Sequence, residues 1–184
     1  MTPSTPTKRA AKPARPRMTL AEAMAELEAA GTAQARKTYT RHGADAPMFG
    51  TSFATLKALM KRIDVDHELA LALWETGNFD ARNLAMKIVD PGRMDSDTLD
   101  RWAREASAAL SCGNYAAGLP AEGSAGREKA AQWLASAHPG ERRAAWVLVA
   151  QLALRDEHAP DSLFGALLDD ITRTIHTSAN AERA

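Results

Sequence analysis

Three kinds of side chain in this sequence are equipped for chemistry, and their spacing narrows what that chemistry is. Cations come first. Arg142 and Arg143 adjoin in HPGERRAAWVLV, while Lys57 and Lys61 lie one helical turn apart in FATLKALMKRI, with Arg62 beside them. Ammonium and guanidinium groups spread over several helix ends suit contact with phosphates, and nothing here resembles a helix that reads base edges. Carboxylates come second, since a fixed acid can stabilise a developing cation or move a proton. Glu105 and Glu122 are separated by residues 106–121, which hold no acid and whose one aromatic is Tyr115. The thiol is third. Cys112 is the single cysteine and has no convincing histidine partner, so it is not read as a nucleophile. His42, His67, His138, His158 and His176 are scattered without metal-ligand spacing, and no phosphate-cradling or dinucleotide glycine pattern occurs. No metal and no cofactor are expected.

Composition bounds the framework that positions these groups. A chain of 184 residues with 45% hydrophobic content can bury one real core. One cysteine excludes a disulfide framework and fits a reducing, cytoplasmic setting. The apolar runs are too short to span a bilayer, so no membrane partner is expected. The formal net charge of zero hides an asymmetry. Residues 1–17 hold five of the 23 basic side chains, four prolines and no acid, which leaves 18 basic against 23 acidic residues in the remainder. The arm 1–17 has too little apolar surface to fold and reads as disordered, with the folded body at 18–184. Such a basic arm suits nucleic acid or serves only to keep the chain soluble.

The periodicity predicts helices throughout, six to nine of them, in antiparallel pairs. The central pair is DHELALALWETGNFDARNLAMKIVDP. Asp66 is placed to cap its first helix and Asn78 its second, with Gly77 between and Pro91 as the stop. Leu69, Ala70, Leu73 and Trp74 form one stripe, and Ala81, Leu84, Ala85, Ile88 and Val89 the other. Asp80 and Arg82 flank the turn and are expected to cap it or to bridge neighbouring repeats.

Before this pair, Thr19 and Glu22 form a capping box, with Leu20, Met24 and Leu27 inward. A polar helix from Thr32 to His42 follows. The third helix carries Phe53, Leu56, Leu59, Met60 and Ile63 on its core side, and Lys57, Lys61 and Arg62 toward solvent.

After the pair, Ser96 or Asp97 caps a helix with Leu99, Trp102, Ala103 and Ala106 inward. The glycine-rich stretch 111–126 supports at most a short helix near Asn114–Gly118. Helices around Trp133, from Pro139 to Arg155, and after Pro160 complete the chain. The Pro139 helix is apolar nearly all round and is expected in the middle of the stack, while Phe164, Leu167, Leu168, Ile171 and Ile175 of the last helix face inward. Trp74, Trp102 and Trp133 each open a pair, and Trp74 with Arg82 is echoed by Trp133 with Arg142. Repeated helix pairs that cannot bury their stripes alone imply an all-α solenoid. The tryptophans are read as core.

The segments MFGTSFATLKALMKRI, DHELALALWETGNFDARNLAMKIVDP and WLASAHPGERRAAWVLVAQLAL resemble the AlkC/AlkD-type DNA alkylation repair proteins, which are built from HEAT-like repeats. The resemblance runs from about Ala21 to the end and is densest over 47–91. It implies a DNA-binding groove, and in some members a glycosylase that removes positively charged alkylated purines with the help of a tryptophan and a carboxylate. Here the corresponding segment, AREASAALSCGNYAAGL, has no acid between Glu105 and Glu122. The arginine of the ERRAA run does match, at Arg143 with Arg142 beside it, and in the family it contacts the DNA backbone. The expected partner is therefore double-stranded DNA, bound without sequence preference by a monomer through Arg142, Arg143, Lys57, Lys61 and Arg62. Catalysis is left open, and the alternative is a helical-repeat scaffold that binds another protein.

Overall fold

In the computed structural model, residues 17–44, 47–106, 110–155, 157–158 and 160–177 are described. Residues 1–16 of the basic arm lie outside them. Ten α-helices occur among the described residues, with no strand and one isolated bridge, Gly31 to Thr51. They are α1 (Leu20–Ala29), α2 (Ala33–Arg41), α3 (Phe53–Ile63), α4 (His67–Glu75), α5 (Phe79–Ile88), α6 (Ser96–Glu105), α7 (Leu110–Glu122), α8 (Gly126–Leu134), α9 (Pro139–Arg155) and α10 (Asp161–Thr174). None among the described residues is long and apolar enough to cross a membrane.

Side-chain caps set most of the boundaries. Thr19 and Glu22 form the capping box of α1, Asp66 accepts from the Leu69 amide, and Asn78 accepts from the amides of Asp80 and Ala81. Gly77 takes a φ of 67° between α4 and α5, a conformation that glycine adopts without the Cβ clash that penalises other residues. The cap of α6 is Asp95 rather than Ser96 or Asp97. Its carboxylate accepts from the Thr98 amide at 2.7 Å, and that bond holds the carboxyl below its ordinary range.

The helices assemble in two layers. In one, α1 packs on α4, the rings of Trp74 and Trp102 join α4 to α6, and Asp100 joins α6 to α8. In the other, α3 packs on α5, α5 on α7 and α7 on α9. The pairs α4/α5, α6/α7 and α8/α9 link the layers, which is the stacking of a HEAT-like solenoid. Nearly all of α5 is buried, as the centre of such a stack requires: of its ten residues, only Arg82 and Lys87 keep partial exposure.

Several sequence expectations need correction. The stretch after α6 is a full helix, α7, and this raises the number to ten. Its Ala116 and Ala117 are buried, and Gly118 approaches the Gln151 side chain. Small residues let α7 lie close to α5 and α9, and that packing outweighs poor helix propensity and Pro120 in its last turns. Helix α9 packs against α6, α7 and α8 through Ala144, Ala145, Leu148 and Leu152, yet one flank stays open, with Leu154 81% exposed. Leu20, Phe53, Leu168 and Ile175 are likewise exposed rather than core. Phe53 and Leu20 stand on the first turns of their helices, and α10 has no neighbour on its far side among the described residues.

Candidate nucleic-acid interface

Charge is divided between the two layers. Helices α3, α5, α7 and α9 carry eight cations (Lys57, Lys61, Arg62, Arg82, Lys87, Arg142, Arg143 and Arg155) against three acids (Asp80, Glu122 and Glu141), a net of +5. Helices α1, α4, α6 and α8 carry four cations (Arg101, Arg104, Arg127 and Lys129) against nine acids, a net of −5. The three acids of the positive layer are also engaged. Asp80 is fully buried and accepts from the amides of Phe49, Gly50 and Thr51 at 2.7 to 3.0 Å. Glu122 pairs with Arg155 at 3.0 Å, and Glu141 pairs with Arg104 at 3.1 Å.

The residues predicted to bind DNA fall into two groups. Lys57 and Lys61 are exposed on one face of α3, opposite the buried Leu56 and Leu59, and have no ion-pair partner among the described residues. Arg143 is partly exposed on α9 and donates to Asn114 Oδ1 on α7 at 3.1 Å. The structure places these three on the first and last helices of the positive layer, so they bracket it rather than form one cluster. The other two are engaged elsewhere. Arg62 pairs with Glu26 of α1. Arg142 reaches back to the carbonyls of Ser136 and Ala137, at 3.0 and 2.8 Å, and closes the turn between α8 and α9.

Arg82 does for the α4/α5 turn what Arg142 does for α8/α9, which is the physical basis of the Trp–Arg echo in the sequence. Its Nε donates to the Trp74 carbonyl at 3.3 Å, and its guanidinium lies 4.8 Å from the Trp74 ring centroid. The other nitrogens reach the carbonyl and Oε2 of Glu105, both at 3.0 Å. Trp74 Nε1 donates to the same Oε2 at 2.8 Å, and the Trp74 and Trp102 rings stack with centroids 4.0 Å apart. Glu105 is thus a joint between α4, α5 and the end of α6, held by two side-chain donors that fix its position.

A second joint lies deeper. Lys129 is 1% exposed and donates to Asp100 Oδ1 at 2.7 Å, and Trp133 Nε1 donates to that oxygen at the same distance. Gln132 donates to Oδ2 at 3.0 Å. Burial opposes ionisation of Asp100, but these hydrogen bonds and the Lys129 charge together hold its carboxyl below the ordinary range. Burial, and then the Asp80 charge, push the Tyr39 hydroxyl up; it donates to the Thr51 carbonyl at 2.7 Å.

Sequence reasoning missed two contacts that cross the positive layer. Lys87 of α5 holds its ammonium 3.6 Å from the centroid of the Tyr115 ring on α7, and Arg143 of α9 meets the adjoining Asn114. Their signal was weak, because residues on different helices show no spacing rule in a sequence.

A model of DNA alkylation repair enzymes matches residues 23–181. The chain belongs to this DNA alkylation repair family. Among solved structures, one from "a new family of proteins related to the HEAT-like repeat DNA glycosylases with affinity for branched DNA structures" is 31% identical, with a TM-score of 0.83. The similarity covers 90% of this chain and 72% of that one. No curated protein matches the chain. The expected HEAT-like all-α architecture and family membership are therefore established together. Within the family, this member presents no acid at 106–121, and the carboxylates on either side are bound to arginines: Glu105 to Arg82 and Glu122 to Arg155.

Proposed function

We propose that this family member binds DNA through its phosphate backbone, without reading sequence, on the layer formed by α3, α5, α7 and α9. The charge division carries the reading. A chain of zero net charge has no long-range attraction for a polyanion as a whole, but a layer at +5 opposite one at −5 attracts and orients it. Lys57, Lys61, Lys87 and Arg143 are the cations we assign to phosphates, and the arm 1–17 adds five more. Branched DNA is the preferred form, by analogy with the similar structure's described affinity. Glycosylase activity is weak or absent in this reading, because the nearest carboxylates serve as structural ion pairs.

The test is a titration of labelled duplex and four-way-junction DNA over a range of salt concentrations. Counterion release predicts that log affinity falls linearly with log salt, by about 0.9 for each phosphate neutralised. Combined Lys57→Glu and Lys61→Glu substitutions are expected to lower the slope by roughly 2, and removal of residues 1–17 to lower it further. A slope near zero would overturn the reading in favour of a protein-binding scaffold.

A further inference from the structure

We propose that Tyr115 is a stacking point for an unpaired base at a DNA branch, held ready by Lys87 and flanked by Arg143. This rests on the proposed DNA-binding role of the positive layer and names the feature of DNA that the layer prefers. Four observations converge. Tyr115 is 52% exposed, more than Phe53 at 45%, the other aromatic side chain left exposed among the described residues. Lys87 holds its ammonium over one face of the ring, 3.6 Å from the centroid, which restrains the ring and places a cation beside it. The preceding residue, Asn114, receives Arg143 from the next helix at 3.1 Å. All of these residues belong to the layer that carries the net positive charge.

The chemistry follows from where base faces are available. In a continuous duplex both faces of every base are covered by neighbours, so an exposed ring on a protein surface meets only phosphates and groove edges. At a junction, bulge or frayed end, a base leaves the stack and offers a face. An exposed tyrosine with a lysine over one face is suited to that encounter: the ring takes the base on its other face, and Lys87 and Arg143, which is bonded to the preceding residue, take the flanking phosphates. Because Lys87 already restrains the ring, less side-chain freedom is lost on binding. Stacking of this kind does not depend on which base is offered, in keeping with binding that does not read sequence.

The competing explanation is that the Lys87–Tyr115 contact only fastens α5 to α7. A junction and a matched duplex, each with 2-aminopurine at the branch position, separate the two. The wild-type full-length chain is expected to quench the probe in the junction and to bind the junction more tightly than the duplex. Tyr115→Ala is expected to lose the quench and about tenfold of the junction preference, with duplex affinity unchanged. Tyr115→Phe is expected to retain both. A purely structural contact would instead shift the unfolding temperature of Tyr115→Ala and leave the junction-to-duplex ratio intact, and that result would overturn the stacking role. If the wild-type chain binds DNA with the expected salt dependence but Tyr115→Ala behaves identically, stacking fails while backbone binding stands. If the wild-type chain binds neither DNA at low salt, both fail.

Discussion

Removing the Asp100 carboxylate is a severe perturbation of this fold outside its apolar core. In Asp100→Ala, Lys129 keeps its charge at a site 1% exposed, with the Gln132 carbonyl as its remaining partner at 2.9 Å. Trp133 Nε1 and Gln132 Nε2 also lose their acceptor. Breaking a buried pair from one side costs about 3–5 kcal/mol, because the surviving charge stays desolvated. Against a total stability of roughly 5–15 kcal/mol, this is a large fraction. At about 2–4 °C per kcal/mol for a domain of this size, the unfolding midpoint should fall by roughly 6–20 °C.

Lys129→Met should be milder. It removes the more deeply buried charge of the pair, and Asp100 keeps Trp133 and Gln132 as donors. The double variant Asp100→Leu with Lys129→Met should recover much of the single-variant loss, since it leaves no uncompensated charge. The pH dependence has a definite sign. The Asp100 carboxyl is lowered from its ordinary value of 3.8 in the folded state. Its contribution is therefore complete above that value and is lost as pH falls below it, through the folded-state value. The stability gap between wild type and Asp100→Asn should be constant near neutral pH and close in acid. Chemical denaturation of the wild type and the four variants at several pH values measures all of this. An Asp100→Ala loss under about 1 kcal/mol, or a gap that does not change in acid, would refute the account of a buried, ionised joint.

Three further outcomes follow from the same geometry. Asp80→Ala strips the acceptor from three backbone amides of the 49–51 loop in a fully buried setting, and should cost about 3 kcal/mol or more by denaturant unfolding. Trp133→Phe should destabilise more than Trp102→Phe: both lose the same volume, but Trp133 Nε1 is bonded to Asp100 while the buried Trp102 Nε1 has no hydrogen-bond partner among the described residues. Release of 7-methylguanine or 3-methyladenine from alkylated DNA should stay close to the spontaneous rate, and Glu105→Gln should lower the unfolding midpoint without changing that rate. Release well above background that Glu105→Gln or Glu122→Gln abolishes would identify a catalytic acid instead.

The legible part of the fold was the part governed by local rules. Thr19, Asp66, Asn78 and Gly77 set helix ends through bonds to residues two to four positions away, so the sequence displays them directly. The stripes of α4 and α5 appear with 3.6-residue periodicity because each has one wet edge and one dry face. Helix α7 has no such stripe. Its alanines and glycine matter only because α5 and α9 lie close beside them, and that closeness depends on residues far away in the chain. The site divides the same way. Lys57, Lys61 and Arg143 are recognisable as exposed cations on helices. The roles of Arg82 and Arg142 as turn clamps, and of Lys87 as the partner of Tyr115, depend on which helices become neighbours.

That dependence explains how a chain with no net charge can present a face suited to DNA. Composition averages over the two layers, and in this protein the average is zero because the layers cancel. The alternation of layers along the chain hides the division further, since consecutive helices from α3 to α9 belong to opposite layers. Only the solenoid sorts them, by sending every second helix from α3 onward to the same side. The sorting also bears on chemistry. An arginine-rich layer beside acidic turns tends to recruit nearby carboxylates as partners, as Arg82 does with Glu105 and Arg155 with Glu122. A carboxylate held in that way is a poor candidate to stabilise a cation on a sugar, since its charge is already balanced by a guanidinium. Freeing it would expose a buried tryptophan N–H at the same joint. In the proposed reading, the arrangement that favours phosphate binding is also the one that engages these acids in ion pairs.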